Sequence, residues 1–352
     1  MDINKLLRKN IQTLKPYSSA RDEFSGEAMV FLDANENPFN QPYNRYPDPL
    51  QKKLKEKISV LKQTEADKIF LGNGSDEPID LLIRAFCEPG QDNIVTFDPT
   101  YGMYEVAANI NNVQVLKVSL DQNFNISANQ ILSETNEDTK LIFLCSPNNP
   151  TGNSLDKNEI KKIIENFNGL IILDEAYTDF APGHSLLPEL DKYENLVILQ
   201  TFSKAWGMAG IRLGMAFASA EIIQILNRIK YPYNLNILTQ QKALELIEGS
   251  DDIVNWVELL LKEREKMVRE LEKFPFVVKV YPSDANFVLV KMLDARGIYE
   301  YLVENGIIVR DRSKVHLCDD SLRITIGNEN ENKQFIKALN SLIEGSTTKM
   351  TK

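Results

Sequence analysis

The chain predicts an α/β protein: a large domain on a mostly parallel sheet, followed by a smaller α+β domain. Short apolar runs alternate with helical stretches from residue 50 to residue 229, the rhythm of a largely parallel sheet with helices packed on it. These runs are nearly continuous Val, Ile and Leu rather than alternating, as expected for strands covered on both faces. Chemistry-bearing residues follow directly after the runs, where open α/β sheets bind ligands.

Taken in order, residues 1–29 read as an arm with one amphipathic helix over 3–14. Residues 30–50, rich in Pro, Asn and Tyr, read as extended and irregular. Helices are predicted over 50–61, 77–86, 101–110, 127–132 and 157–166. Strands are predicted over 69–71, 94–97, 113–118, 141–145, 170–173, 196–200 and 213–218. A helix over 221–229 stops at Tyr231-Pro232-Tyr233, and helical patterns follow over 238–248 and 253–274. The last part alternates strands (277–281, 287–290, 307–310, 322–326) with helices (295–305, 332–344). The expected division is an arm at 1–29, a large domain at 30–245 and a small domain at 246–352.

Composition narrows the function. The 352 residues are 43% hydrophobic, enough for a substantial core, and carry a net charge of −10. An acidic surface argues against nucleic acid or anionic membrane as partners. Cys87, Cys145 and Cys318 are sparse and odd in number, which fits a reducing cytoplasm rather than a disulfide framework. Two histidines and no Cys-x-x-Cys pair argue against a metal site. The N-terminus does not read as a signal peptide, and no apolar run is long enough to span a bilayer.

Lys204 is the focal residue. It lies in Thr201-Phe202-Ser203-Lys204-Ala205-Trp206-Gly207, with Arg212 and Gly214 shortly after and Asp174-Glu175-Ala176-Tyr177 thirty positions before. A lone lysine is ordinarily a solvated surface charge, but Trp206, Met208 and Ile211 are too apolar for an exposed loop. A lysine there suits covalent attachment of pyridoxal 5'-phosphate (PLP), an electron sink for which proteins supply a lysine and an acid facing the ring nitrogen. Asp174, at the end of an apolar run, is the candidate acid, and Tyr177 suits the ring's phenolic oxygen. Gly72-Asn73-Gly74-Ser75-Asp76 opens a helix, with Ser75 or Asp76 as a natural N-cap. Free amides at such a helix start bind phosphate, and Ser203 and Arg212 complete the cup. Asn149, in a Pro/Asn/Gly loop after 141–145, is placed to bond the phenolic oxygen, and Tyr101 offers an aromatic face. Arg310 and Arg323 sit in apolar strand-like runs, where a charge needs a partner. A substrate carboxylate or a structural salt bridge would serve.

With these residues in view, the chain resembles the fold type I, PLP-dependent aminotransferases, and within them the histidinol-phosphate aminotransferases. The likeness runs from Tyr17 to Gly327. It includes Asp33-Ala34-Asn35-Glu36-Asn37-Pro38, Arg45-Tyr46-Pro47-Asp48 and Asp98-Pro99-Thr100-Tyr101-Gly102. The resemblance implies the aspartate aminotransferase-like fold and a homodimer with shared sites. It implies that Lys204 carries the cofactor and shuttles a proton, that Asp174 holds the ring nitrogen, and that Tyr177 and Asn149 bind O3'. Tyr101 would stack on the ring. Gly74, Ser75 and Asp76 (through their loop), Ser203 and Arg212 would hold the phosphate, joined by Tyr46 from the neighbouring subunit. Arg323 would bind the carboxylate of glutamate or 2-oxoglutarate. Tyr17, Asn35 and Arg310 would meet the phosphate or imidazole end of histidinol phosphate. Broader aromatic aminotransferases and phosphothreonine decarboxylases share much of this pattern and stand as alternatives.

Overall fold

A computed structural model describes residues 2–17, 30–249 and 251–350; residues 18–29 of the expected arm lie outside them. Seven strands form the main sheet: β1 (Ile69–Asn73), β2 (Asn93–Asp98), β3 (Gln114–Ser119), β4 (Thr139–Cys145), β5 (Leu170–Asp174), β6 (Leu196–Thr201) and β7 (Leu213–Phe217). Their order is β1-β7-β6-β5-β4-β2-β3. Neighbours from β6 through β3 are parallel. Strand β7 runs antiparallel to both β1 and β6. Every residue of β5, β6 and β7 is buried, which explains their apolar sequences up to the polar residues Asp174, Gln200 and Thr201 that end β5 and β6.

Helices cover this sheet. They are α1 (Ile3–Leu6), α2 (Lys9–Gln12), α3 (Lys52–Lys62), α4 (Asp76–Phe86), α5 (Met103–Ile110), α6 (Ala128–Ser133), α7 (Lys157–Asn166) and α8 (Ala220–Ile229). In α4 the buried Ile79, Leu82, Ile83 and Phe86 recur at helical spacing. Burying such side chains contributes roughly 1.5–3 kcal/mol each. The expected single helix over 3–14 is split in two. Buried Leu7 leaves the helical conformation, and the Arg8 amide donates to Ala85 O at 3.0 Å instead of to its own helix.

The C-terminal part begins with α9 (Ile237–Glu248) and α10 (Asp251–Leu271). An antiparallel sheet follows, made of β8 (Val277–Val280), β9 (Phe287–Met292), β10 (Arg310–Asp311) and β11 (Ser321–Thr325) in the order β10-β11-β9-β8. Helices α11 (Ala295–Glu304) and α12 (Glu329–Met350) pack on it. Helix α10 joins two cores, giving Ile253 and Val257 to the larger and Met267 and Leu271 to the smaller. The strand expected over 307–310 pairs only at Arg310 and Asp311. The Ile307 amide is taken by Leu302 O at the end of α11, so the ladder begins later.

Candidate active site

The C-terminal ends of β4, β5 and β6 deliver Cys145, Asp174 and Thr201 side by side, and the turn after β1 delivers Gly74. Together they open a cavity of about 360 Å³. The structure brings Gly74, Ser75, Asp76, Tyr101, Asn149 and Asp174 to its wall. Tyr177, Ser203, Lys204, Arg212, Arg310 and Arg323 line it as well.

Asp174 is buried at 2% exposure. Its Oδ2 accepts from the Tyr104 hydroxyl at 2.7 Å and its Oδ1 from the Ala176 amide at 3.0 Å. Burial raises its pKa; those two donors and Lys204 pull the other way. A buried carboxylate in this state favours a cationic N–H partner. Glu175 faces away from the cavity and pins the strand end. It accepts from Ser185 Oγ, the Leu186 amide and Gln200 Nε2 at 2.6–2.9 Å.

Lys204 opens into the cavity mouth, while Trp206 and Met208 beside it are buried. Desolvation by the surrounding protein, then Arg323 and Arg212, hold its ammonium below the usual lysine range against the pull of Asp174 and Asp76. Its Nζ stands 5.5 Å from the Tyr177 ring centroid. Lowering an amine's pKa makes it a readier nucleophile and base.

The turn before α4 is held tightly against β7. Gly74 takes φ +71°, and a Cβ there would lie 2.4 Å from Arg212 Nη2. A Cβ on Gly214 would lie 2.2 Å from the Gly74 carbonyl carbon, so only glycine fits. The Gly74 amide donates to Arg212 O at 2.8 Å. Neither Ser75 nor Asp76 caps the helix through its side chain, contrary to expectation. Asp76 instead accepts from Tyr101 Oη at 3.1 Å and from Arg212 Nη2 at 3.4 Å. The Glu77 carboxylate folds back to the Asn73 amide. Ser203 Oγ is buried with no hydrogen-bond partner among the described residues. An uncapped helix start, an arginine and an orphaned hydroxyl are the parts of an anion cradle.

On the opposite wall, fully buried Asn148 ties two loops together. Its Nδ2 donates to Pro99 O (3.0 Å) and Thr151 Oγ1 (2.8 Å), and its Oδ1 accepts from Thr100 Oγ1 (3.0 Å). This sets Asn149, whose Nδ2 reaches Tyr177 Oη at 3.5 Å and whose Oδ1 accepts from Arg323 Nη1. The Arg323 guanidinium lies 5.3 Å over the Phe287 ring. Arg310 stands directly opposite Arg323 in the β10–β11 register.

Three predicted residues lie outside the cavity. Tyr17 is exposed at 72%, and Asn35 lies on the exposed surface at φ +54°. Tyr46, half exposed, stacks on Tyr233 with centroids 4.4 Å apart, and Glu36 fixes it by accepting from its amide and from Arg45. Two residues escaped sequence reading. Tyr104 gave no local signal, since its partner Asp174 is 70 positions away. Arg312, which lines the cavity just after β10, was legible in principle: residues two apart in an extended chain point the same way.

The family model for aminotransferase class I and II matches residues 30–339. The histidinol-phosphate aminotransferase of Parabacteroides distasonis is 58% identical over 341 residues, covering 97% of this chain and 99% of the relative. The crystal structure of the histidinol-phosphate aminotransferase from Clostridium acetobutylicum superposes with TM-score 0.79 at 28% identity, covering 86% of this chain and 92% of that one. The Sinorhizobium meliloti structure, in complex with pyridoxal-5'-phosphate, shares the fold with TM-score 0.77 at 21% identity, over 85% and 84% of the two chains. By family match and by near full-length identity, the chain belongs to the class I and II aminotransferases, among the histidinol-phosphate aminotransferases.

Proposed function

We propose that the chain moves the amino group of L-histidinol phosphate to 2-oxoglutarate, giving imidazole-acetol phosphate and L-glutamate, with PLP as cofactor. The observation that carries this reading is one cavity holding a depressed lysine, a buried carboxylate and an anion cradle. The cavity fits the cofactor on its own chemistry. Ser203 Oγ lacks a partner among the described residues, the start of α4 has no side-chain cap, and Gly74 and Gly214 let the backbone approach closely. PLP, when bound, withdraws electrons from the substrate carbon so that its proton can leave.

The chain's own groups do the rest. Lys204 anchors the cofactor and carries the proton from the substrate carbon and back. Asp174, its ionised form favoured by Tyr104 and the Ala176 amide, holds a protonated ring nitrogen. Tyr177 and Asn149 hold the ring oxygen, and Tyr101 covers a ring face. Ser203, Arg212 and the Ser75 and Asp76 amides grip the phosphate. Arg323 receives the acceptor's carboxylate, and Arg310 the donor's anionic end. The decisive measurement is glutamate formation from 2-oxoglutarate with a panel of amine donors. Phenylalanine outperforming histidinol phosphate, or carbon dioxide released from phosphothreonine, would replace this reading.

A homodimer with shared sites follows from the same reading. Val30, Leu32, Phe39 and Tyr43, in the same segment as Tyr46, are also exposed, apolar surface suited to a second copy in which Tyr46 meets the partner's cofactor phosphate. Tyr17 and Asn35, outside this chain's own cavity, join the substrate site in that arrangement. A Tyr46→Phe and Lys204→Ala mixture that regains activity in hybrid dimers is the expected result, and a monomer in sedimentation rules the arrangement out. No helix among the described residues is long and apolar enough to cross a membrane. We place the enzyme in the cytoplasm.

A further inference from the structure

The cavity carries more positive charge than the roles above use. Five cationic side chains line it against two carboxylates, Asp76 and Asp174, in a chain whose net charge is −10. Arg212 is matched by Asp76. On the other side, Arg310 of β10, Arg312 just after that strand and Arg323 of β11 line one side of the cavity. Among the described residues no carboxylate pairs with them. Asp311, between the first two, is engaged by Arg296 at 3.4 Å. Arg312 is only partly exposed, and its Nε is buried without a hydrogen-bond partner among the described residues. Burial, then Arg323 and Arg310, push its guanidinium down to about 10. A half-buried cation crowded by two others is costly unless an anion arrives to meet it.

The two proposed substrates present their anions differently. The acceptor carries one carboxylate bonded directly to the reacting carbon and a second beyond two methylenes. The donor's phosphate stands one carbon and one ester oxygen further out than the first of these. Arg323, already bonded to Asn149, is set for one of these positions. A carboxylate satisfies a single guanidinium fork, whereas a phosphate dianion has the oxygens and charge for several. We infer that Arg312 is a specificity-determining residue that, with Arg310, receives the donor's phosphate and makes the enzyme prefer a phosphate monoester. This rests on the function proposed above.

The test uses the PLP-loaded enzyme and the variants Arg312→Gln and Arg312→Lys, after thermal unfolding shows that each is folded. Arg312→Gln should raise KM for histidinol phosphate about 10- to 100-fold, the worth of one or two charged hydrogen bonds. KM for 2-oxoglutarate should stay within about threefold, and kcat should fall by less than about threefold. Arg312→Lys should recover part of the loss. An unchanged KM for histidinol phosphate, or equal rises for both substrates, overturns the assignment. Inorganic phosphate supplies a second readout: it should raise the melting temperature of the wild type and not that of Arg312→Gln, and equal protection counts against Arg312. If the wild type fails to use histidinol phosphate, the function proposed above falls, while the inorganic-phosphate comparison still decides what Arg312 binds.

Discussion

The two walls of the cavity are built on opposite plans. The carboxylates at the end of β5 are satisfied within the protein: Asp174 has two donors, and Glu175 behind it has three. The opposite wall gathers three arginines, Arg310 and Arg323 directly opposed in the β10–β11 register and Arg312 just beyond β10. Like charges facing each other across strands are destabilising. Folding alone supplies partners for the β5 carboxylates, whereas the arginine wall is left electrostatically incomplete until a ligand binds. Groups that act in every turnover belong on the rigid wall. Groups that must accept two different substrates belong on the one whose preferred state depends on the ligand.

Substitutions can break or sharpen this contrast. The largest effect is expected from Lys204→Ala, which should cut turnover with every donor by on the order of a thousandfold or more; retained single-turnover rates would break the assignment of the rigid wall. Asp174→Asn keeps the shape and removes the charge. It should slow proton removal by roughly a hundredfold while the cofactor stays bound, read as the single-turnover rate at saturating cofactor. Gly214→Ala forces a methyl into the Gly74 backbone. A loss of about 1–3 kcal/mol in urea unfolding is expected, together with faster cofactor dissociation.

Tyr104→Phe removes one donor from Asp174 and should lower kcat by about tenfold, the lower end of the roughly 1.5–3 kcal/mol that a hydrogen bond to a charged group is worth. Its sign is specific. The Tyr104 hydrogen bond lowers the Asp174 pKa. Removing it raises that pKa, and activity that needs the ionised carboxylate is lost at a higher pH as the solution is acidified. An acid limb that moves the other way would show that Asp174 acts as the neutral acid. The smallest effect concerns the incomplete wall. Arg312 has a lowered pKa in the folded chain, so its charge disfavours folding. That penalty is complete below about 10 and fades only as pH rises further. Without ligand, Arg312→Gln should therefore be more stable than the wild type at neutral pH, by about 1 kcal/mol or less once solvent screening is allowed for. A less stable variant would mean that Arg312 has a structural partner.

Much of this was legible before any coordinates. The apolar runs located the seven strands of the main sheet: the central ones, buried on both faces, leave a nearly continuous hydrophobic signature, while the edge strand β3 (Gln114–Ser119) alternates and is partly exposed. Asp174, Lys204 and the Gly72–Asp76 turn stood out because each follows directly on such a run. The antiparallel course of β7 was not legible, since a buried strand reads the same in either direction. Nor was the break in the N-terminal helix, which depends on a carbonyl at Ala85. The missing side-chain cap at Ser75 could not be foreseen either, because Asp76 is drawn off by Tyr101 and Arg212 from distant parts of the chain.

The sequence by itself determined the layered α/β plan and pointed to the groups proposed to meet the cofactor, because periodicity and local turn chemistry are properties of neighbouring residues. Only the tertiary structure decided that Tyr104 would steady Asp174 and that Arg310, Arg312 and Arg323 would face one cavity without a carboxylate among the described residues to balance them. Those relations depend on which strand ends come together in space, and hydrophobic pattern carries no record of the charge waiting on the other side.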